Sequence, residues 1–219
     1  MWTWVLDMVR ILTLFGLLSI LIGYWAPWVD HPAAGLVQNG FDLSEFVKFL
    51  PQVKSGGEPM TRWLLFLPLA AVALNLSLWA HGLPGRRAHG LRLTLIAVSL
   101  LLLIILIPPY PYTPDRLLGD EFRARTILAL ASWAIFLLSL AWQGRWLPGE
   151  WMPILLALLT LAGTTTPIVQ FLSLRDALSA VYGRPIAIGW GVWLMGGGTL
   201  TTLGGTALWF RKANRGGSG

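Results

Sequence analysis

Six long apolar stretches run through this chain, and they are read as free of ionisable side chains. In a helix rising about 1.5 Å per residue, roughly 17–25 residues cover the roughly 30 Å of hydrocarbon in a bilayer. Backbone amides in lipid have no water to bond, so such segments must close their hydrogen bonds internally. The expected fold class is therefore all-α, a polytopic transmembrane helix bundle of about six spans. The spans are expected at residues 11–28, 63–80, 91–107, 126–142, 153–172 and 186–210. Residues 1–215 read as one integral membrane domain. The fifth stretch is interrupted by Thr164, Thr165, Thr166 and Pro167, and seven glycines thin the sixth. The competing reading is four spans with two re-entrant pieces.

Composition narrows the class further. Hydrophobic residues make up 55% of the 219 and charged residues 12%. Soluble domains carry about a quarter charged residues, so lipid is the natural solvent here. With no cysteine, disulfides, iron–sulfur clusters and thiol chemistry are excluded. The net charge of +6 is divided among short loops, which points to orientation in a membrane and not to nucleic acid. The arginine-rich, lysine-poor usage fits a bacterial inner membrane.

Charge density sets the expected threading. With the N-terminus in the cytoplasm, the inner segments hold Arg10, Arg86, Arg87, Arg92, Arg145, Arg211, Lys212 and Arg215. The outer loops hold as many basic residues over nearly twice the length, so both termini are expected inside. Trp25, Trp28 and Trp63 are expected at the outer interface, and Trp79, Trp142, Trp146, Trp151 and Trp209 at the inner one, as an aromatic belt. The first stretch is too long for a cleavable signal and reads as an uncleaved anchor. Residues 216–219 read as a flexible linker outside the biology.

The first outer loop, residues 30–61, is expected to be structured. Asp42 reads as an N-cap, with Glu45 three positions on as in a capping box and Phe41 and Phe46 at the spacing of a hydrophobic staple. Pro51 reads as the end of this short amphipathic helix. Phe46, Phe49 and Leu50 then share one face, either capping the bundle or docking a partner or lipid. In the second outer loop, prolines 108, 109, 111 and 114 impose a stiff path. Tyr110 and Tyr112 suit an interfacial anchor, and Asp115–Arg116 and Glu121–Arg125 are candidate surface pairs.

Within the spans, Asn75, Thr164, Thr165, Thr166 and Gln170 form the candidate intramembrane polar site. Pro167 frees a carbonyl one turn back, and a broken helix at mid-membrane is one way to build a transport site. Gly197, Thr201 and Gly205 fall on one line of the sixth span, with Gly198, Thr202 and Thr206 beside it. Small residues in such lines let helices pack closely.

Absences restrict the chemistry. Proton coupling needs Asp, Glu or His at depth, and a voltage sensor needs buried arginines. His31 and His81 are expected on opposite sides of the membrane and cannot grip one haem. No phosphate-binding motif occurs. Arg86, Arg87 and Arg92 suit lipid phosphates or orientation, and Asp30, His31 and Asp42 are the outer candidates for acid–base work. No catalytic residue, metal or cofactor is expected. The expected partners are the lipid bilayer together with other membrane subunits or further copies of the chain. Two functions remain: a non-catalytic integral subunit of a larger membrane complex, serving transport, assembly or anchoring, or a self-standing small-solute or lipid transporter.

Overall fold

A helix that is apolar on every face belongs to a buried core or to a lipid-embedded span, and the second apolar stretch is such a helix. In the computed structural model, which describes residues 2–31, 33–54, 61–81, 83, 88–142 and 151–216, that stretch is the centre of the bundle. We number the helices α1 (Trp2–Trp25), α2 (Gly40–Phe46), α3 (Pro51–Lys54), α4 (Leu67–His81), α5 (His89–Leu106), α6 (Pro114–Leu117), α7 (Arg123–Trp142), α8 (Trp151–Tyr182) and α9 (Trp190–Gly216). Every residue of α4 from Pro68 to Ala80 is buried. Helices α1, α5, α7 and α8 pack around it, and α9 packs on α1 and α8.

The outward faces of this ring are aliphatic. Leu18, Leu101, Leu138, Leu158 and Leu200, from five different helices, are all more than half exposed. In water so wide an apolar surface would associate, whereas in lipid it is the solvated surface. Four segments are long and apolar enough to cross a membrane: Arg62–His81, His89–Leu106, Arg123–Ala141 and Trp151–Tyr182. A further apolar helical segment, Ile11–Trp25, is shorter. Among the described residues there is no strand, only isolated bridges of Val29 with Gln38 and with Ile188.

Several boundaries differ from expectation. Helix α1 starts at Trp2 and ends at Trp25, so Trp28 lies beyond it. Trp28 is fully buried and not in a lipid-facing belt. Its indole N–H donates to the Gly23 carbonyl at 3.0 Å, and its ring meets Phe171 edge-on. Trp79 is buried as well, while Trp25 and Trp151 do face outward. Helix α8 runs unbroken for 32 residues through Pro167. The glycines of α9 do not interrupt it either, and its backbone stays helical to Gly216. Arg86, Arg87, Arg145 and Trp146 lie outside the described residues, as do residues 217–219.

The segment between α1 and α4 folds onto the mouth of the bundle with a different cap from the one expected. Asn39, not Asp42, caps α2: its side-chain oxygen accepts from the backbone N–H groups of Phe41 and Asp42 at 2.8 and 2.9 Å. An extended Asn39 places the cap three residues upstream, so Glu45 is released from any capping box. Phe41 stacks on Trp25 and Phe46 meets Tyr182, in place of a mutual staple. The helix gives way at Val47 to a 3-10 turn over Val47–Phe49, and Pro51 opens α3. Phe46, Phe49 and Leu50 therefore do not share a face. Leu43, Val47 and Leu50 point into the bundle, whereas Phe49 is 59% exposed.

Candidate functional site

The only buried guanidinium among the described residues belongs to Arg125, in the first turn of α7. A buried charge must be paired and hydrogen-bonded or it unfolds its surroundings. Helix α5 supplies half of the answer. It ends at Leu106, leaving its last carbonyls without intrahelical donors. Arg125 Nε donates to the Leu106 carbonyl at 3.0 Å, and Nη2 donates to those of Ile105 and Ile107 at 3.1 and 3.2 Å. A cation at a helix C-terminus also meets the negative end of its dipole. The guanidinium lies 4.0 Å from the centre of the Phe66 ring, a cation–π distance.

Glu45 supplies the other half, from the last turn of α2. Its Oε1 accepts from Arg125 Nη1 at 3.2 Å and from Arg62 Nη2 at 3.1 Å. Its Oε2 accepts from Arg62 Nη2 at 3.0 Å and from Lys48 Nζ at 3.3 Å. Glu121 Oε1 closes the group, accepting from Arg62 at 3.3 Å and Lys48 at 3.4 Å. Partial burial raises the Glu121 carboxyl, but the hydrogen bonds and charges of Arg62 and Lys48 outweigh it and hold the group below the usual carboxylate range. The expected pairing of Glu121 with Arg125 is thus replaced: Arg125 goes to Glu45, and Glu121 to Arg62 and Lys48. Asp115 and Arg116 form no ion pair among the described residues. The result is a five-residue clasp that fastens α2 and the turn after it to the starts of the α4 segment and α7 and to the end of α5.

Polar side chains deeper in the bundle are dispersed. Asn75 Nδ2 donates to Thr160 Oγ1 at 3.0 Å, joining α4 to α8, while Asn75 Oδ1 is buried with no partner. Ser77 and Ser139 share a short hydrogen bond between α4 and α7. Thr164 is buried and returns its hydroxyl to the Thr160 carbonyl. Thr165 is exposed and returns its own to Leu161. Thr166 is half-buried. Gln170 sits a full turn and more beyond, where its amide faces the backbone carbonyl and N–H of Thr61 at the mouth, 3.2 and 2.9 Å away. The five expected site residues thus do not converge on one space. Thr160 is the partner that sequence reading missed, although a lone threonine among the leucines of the fifth stretch was visible.

The small-residue seam takes Gly205 from one of the two expected lines and Gly198 and Thr202 from the other. A side chain at Gly197 would meet nothing within 4 Å, so this residue faces away from the bundle, and the Thr201 hydroxyl turns back to the Gly197 carbonyl. The packed line is Gly191, Gly198 and Gly205 at seven-residue spacing, with Met195 and Thr202 between. It lies antiparallel against Thr13, Gly16 and Gly23 of α1. A Cβ on Gly16 or Gly198 would stand 2.7 Å from the carbonyl oxygen of the other.

One charged group also occurs at a span end that was read as uncharged. Arg92 lies inside the third stretch and folds back to donate to the carbonyls of Ala80 and Leu83. Arg175 lies in the extension of α8 and donates to Ile186. His31 uses Nδ1 to accept from Ala33, which holds it in a turn. Among the described residues, no group of three or more His, Asp or Glu is arranged to hold a metal. Compared with protein families, with curated proteins and with solved structures, the chain matches none.

Proposed function

We propose that this chain is a non-catalytic integral membrane subunit that crosses the bilayer six times with both termini in the cytoplasm. It acts as an assembly, anchoring or transport-associated component of a larger membrane complex. The observation that carries this reading is how the intramembrane polar groups are used. Thr164 and Thr165 bond within their own helix, Asn75 and Ser77 tie α4 to its neighbours, and Gln170 is spent on the mouth. Groups used in this way hold helices together and leave no convergent set for a reaction or a solute.

Six crossings are supported by the pairing of α1 with α9. Their 24 and 27 residues correspond to about 36 and 40 Å, longer than the hydrocarbon core. They run antiparallel, backbone against backbone, from Thr13–Gly205 to Gly23–Gly191. The glycine and threonine content that lowers the hydropathy of α9 is what lets it sit so close to α1.

The chain has no cysteine, so single cysteines report topology cleanly. Gly35→Cys and Gly90→Cys, both at positions with open space, are expected to react with an impermeant thiol reagent from opposite faces of sealed vesicles. Labelling from the same face sinks the six-span threading. For the function, extraction of the tagged chain in mild detergent is expected to bring down a membrane partner at fixed stoichiometry. A purely homo-oligomeric particle that carries solute in proteoliposomes sinks it.

The transporter reading keeps one supporting observation, the unpartnered Asn75 Oδ1 in the middle of the bundle. On that reading Asn75→Leu abolishes flux and leaves the assembly intact. On the subunit reading it leaves the partner bound.

A further inference from the structure

The clasp does not fill the mouth. Beside it lies a pocket of about 220 Å3 walled by Arg62, Trp63, Phe66, Asp120, Glu121 and Arg125. Its level in the bilayer follows from the chain, because Arg62 opens one membrane-length segment and Arg123 opens another. The pocket therefore lies where hydrocarbon gives way to headgroups, the depth at which tryptophan settles.

The walls carry both signs over an apolar floor. Arg125 is saturated by Glu45 and three carbonyls, so it contributes charge but few donors. Arg62 differs. Among the described residues, its Nη1 is engaged only by Glu121, at 3.3 Å, and that carboxylate is 45% exposed. A long, half-exposed pair of this kind contributes less than about 1 kcal/mol, so another anionic oxygen can take its place. Asp120 is exposed, and no ion pair engages it among the described residues. The pocket thus presents a planar donor suited to a phosphate a short step from two carboxylates suited to an ammonium. Its volume falls below the roughly 300–1,000 Å3 of sites that enclose a drug-sized ligand, which leaves room for a headgroup and not for a whole lipid.

We propose that this pocket binds the zwitterionic headgroup of a phospholipid, with its phosphate on Arg62, its primary amine between Asp120 and Glu121, and its acyl chains left in the bilayer. A primary ammonium donates hydrogen bonds to both carboxylates. The quaternary amine of choline cannot, and glycerol carries no positive charge.

The test uses the full chain, delipidated in detergent and offered phosphatidylethanolamine, phosphatidylcholine or phosphatidylglycerol, with retention read by native mass spectrometry. Phosphatidylethanolamine is expected to be retained over the other two by about tenfold, the weight of one charge-assisted hydrogen bond. Asp120→Asn, on an exposed turn outside the clasp, is expected to erase that preference without lowering the melting temperature. Arg62→Gln is expected to weaken all three lipids, with Arg62→Lys as the folded control if the glutamine variant unfolds. Equal retention of the three lipids by the unaltered chain overturns the proposal, as does a preference that survives Asp120→Asn. Binding of soluble glycerophosphoethanolamine as tightly as the lipid shows that the site serves a free headgroup, and it overturns the membrane source.

Discussion

The α1–α9 seam and the mouth solve the same problem, holding distant parts of the chain together, by opposite means. The seam has almost no side chains in it. Glycines at seven-residue spacing on both helices bring backbone to backbone, and the threonine hydroxyls are satisfied within their own turns. The mouth is all side chain, with one carboxylate collecting three cations that lie 3, 17 and 80 residues away in the chain. Lipid accounts for the difference. In hydrocarbon an unpaired charge costs several kcal/mol, so the interior is left to dispersion and shape. At the headgroup level, partial hydration makes a charged clasp affordable.

The comparison is broken most severely at the seam. Gly198→Leu places a side chain where the Gly16 carbonyl and the Ile20 amide stand within 2.8 Å of a Cβ, and backbone cannot rotate away. The expected loss is about 3 kcal/mol or more, with α9 undocked, and is read as a lowered melting temperature in detergent. Gly197→Leu, one residue away and facing open space, is expected to be neutral. If the two variants melt alike, the seam is not where the helices meet.

Next in size is Glu45→Gln. It leaves the buried guanidinium of Arg125 with carbonyls alone, and removing one partner of a buried pair typically costs about 3 kcal/mol. The readout is both stability and protection of the α2 amides in hydrogen exchange, because the same carboxylate fastens the loop. Loss of stability without opening of α2 would mean that Leu43, Val47 and Leu50, all buried, hold the loop on their own.

A smaller effect is expected at Asn75, which stands between the two regimes as a polar group in the apolar interior. Asn75→Leu removes the bond to Thr160, worth about 0.6 kcal/mol in a membrane interior, and also removes an unpartnered buried oxygen. The two terms oppose each other, so the melting temperature is expected to move little. A large fall would show that Asn75 Oδ1 has a partner in the bilayer.

How far each region could be read from the chain follows from the range of its interactions. Helix positions came from apolar runs, whose signal is local, and four of the expected spans fall on segments long and apolar enough to cross a membrane. The position of α4 at the core was not legible, since LPLAAVALNLSLWA is no more apolar than α5, which is mostly exposed. The ends were misread where a local rule met a stronger neighbour. Asp42 looked like a cap because Glu45 followed at the right spacing, but Asn39 capped first and Glu45 was drawn to Arg62 and Arg125. Pro167 looked like a break, yet its missing N–H costs a single bond in a helix held on both sides by α4 and α9. Of the two small-residue lines in α9, only the partner helix decides which members pack: Gly198, Thr202 and Gly205 meet α1, and Gly197 does not. The clasp was out of reach, since nothing within a window of the chain links Glu45 to a residue 80 positions on.

The smallest predicted effect concerns the rim of the clasp and depends on pH. The Glu121 carboxyl is held below its usual range by Arg62 and Lys48, against the opposing pull of partial burial. A carboxyl that ionises more readily when folded contributes stability above its unfolded pKa and loses it as pH falls through the folded value. Stability is therefore expected to decline as the pH drops below the normal carboxylate range, and Glu121→Gln is expected to flatten that part of the profile while changing stability at pH 7 by less than about 1 kcal/mol. High salt should mimic the substitution, because the side chain is 45% exposed and its partners are screened. The same salt should leave Gly198→Leu unchanged, since the seam holds no charge to screen. A seam that weakens in salt would mean that the two regions share one energetic unit, with the mouth supporting the packing of α1 on α9.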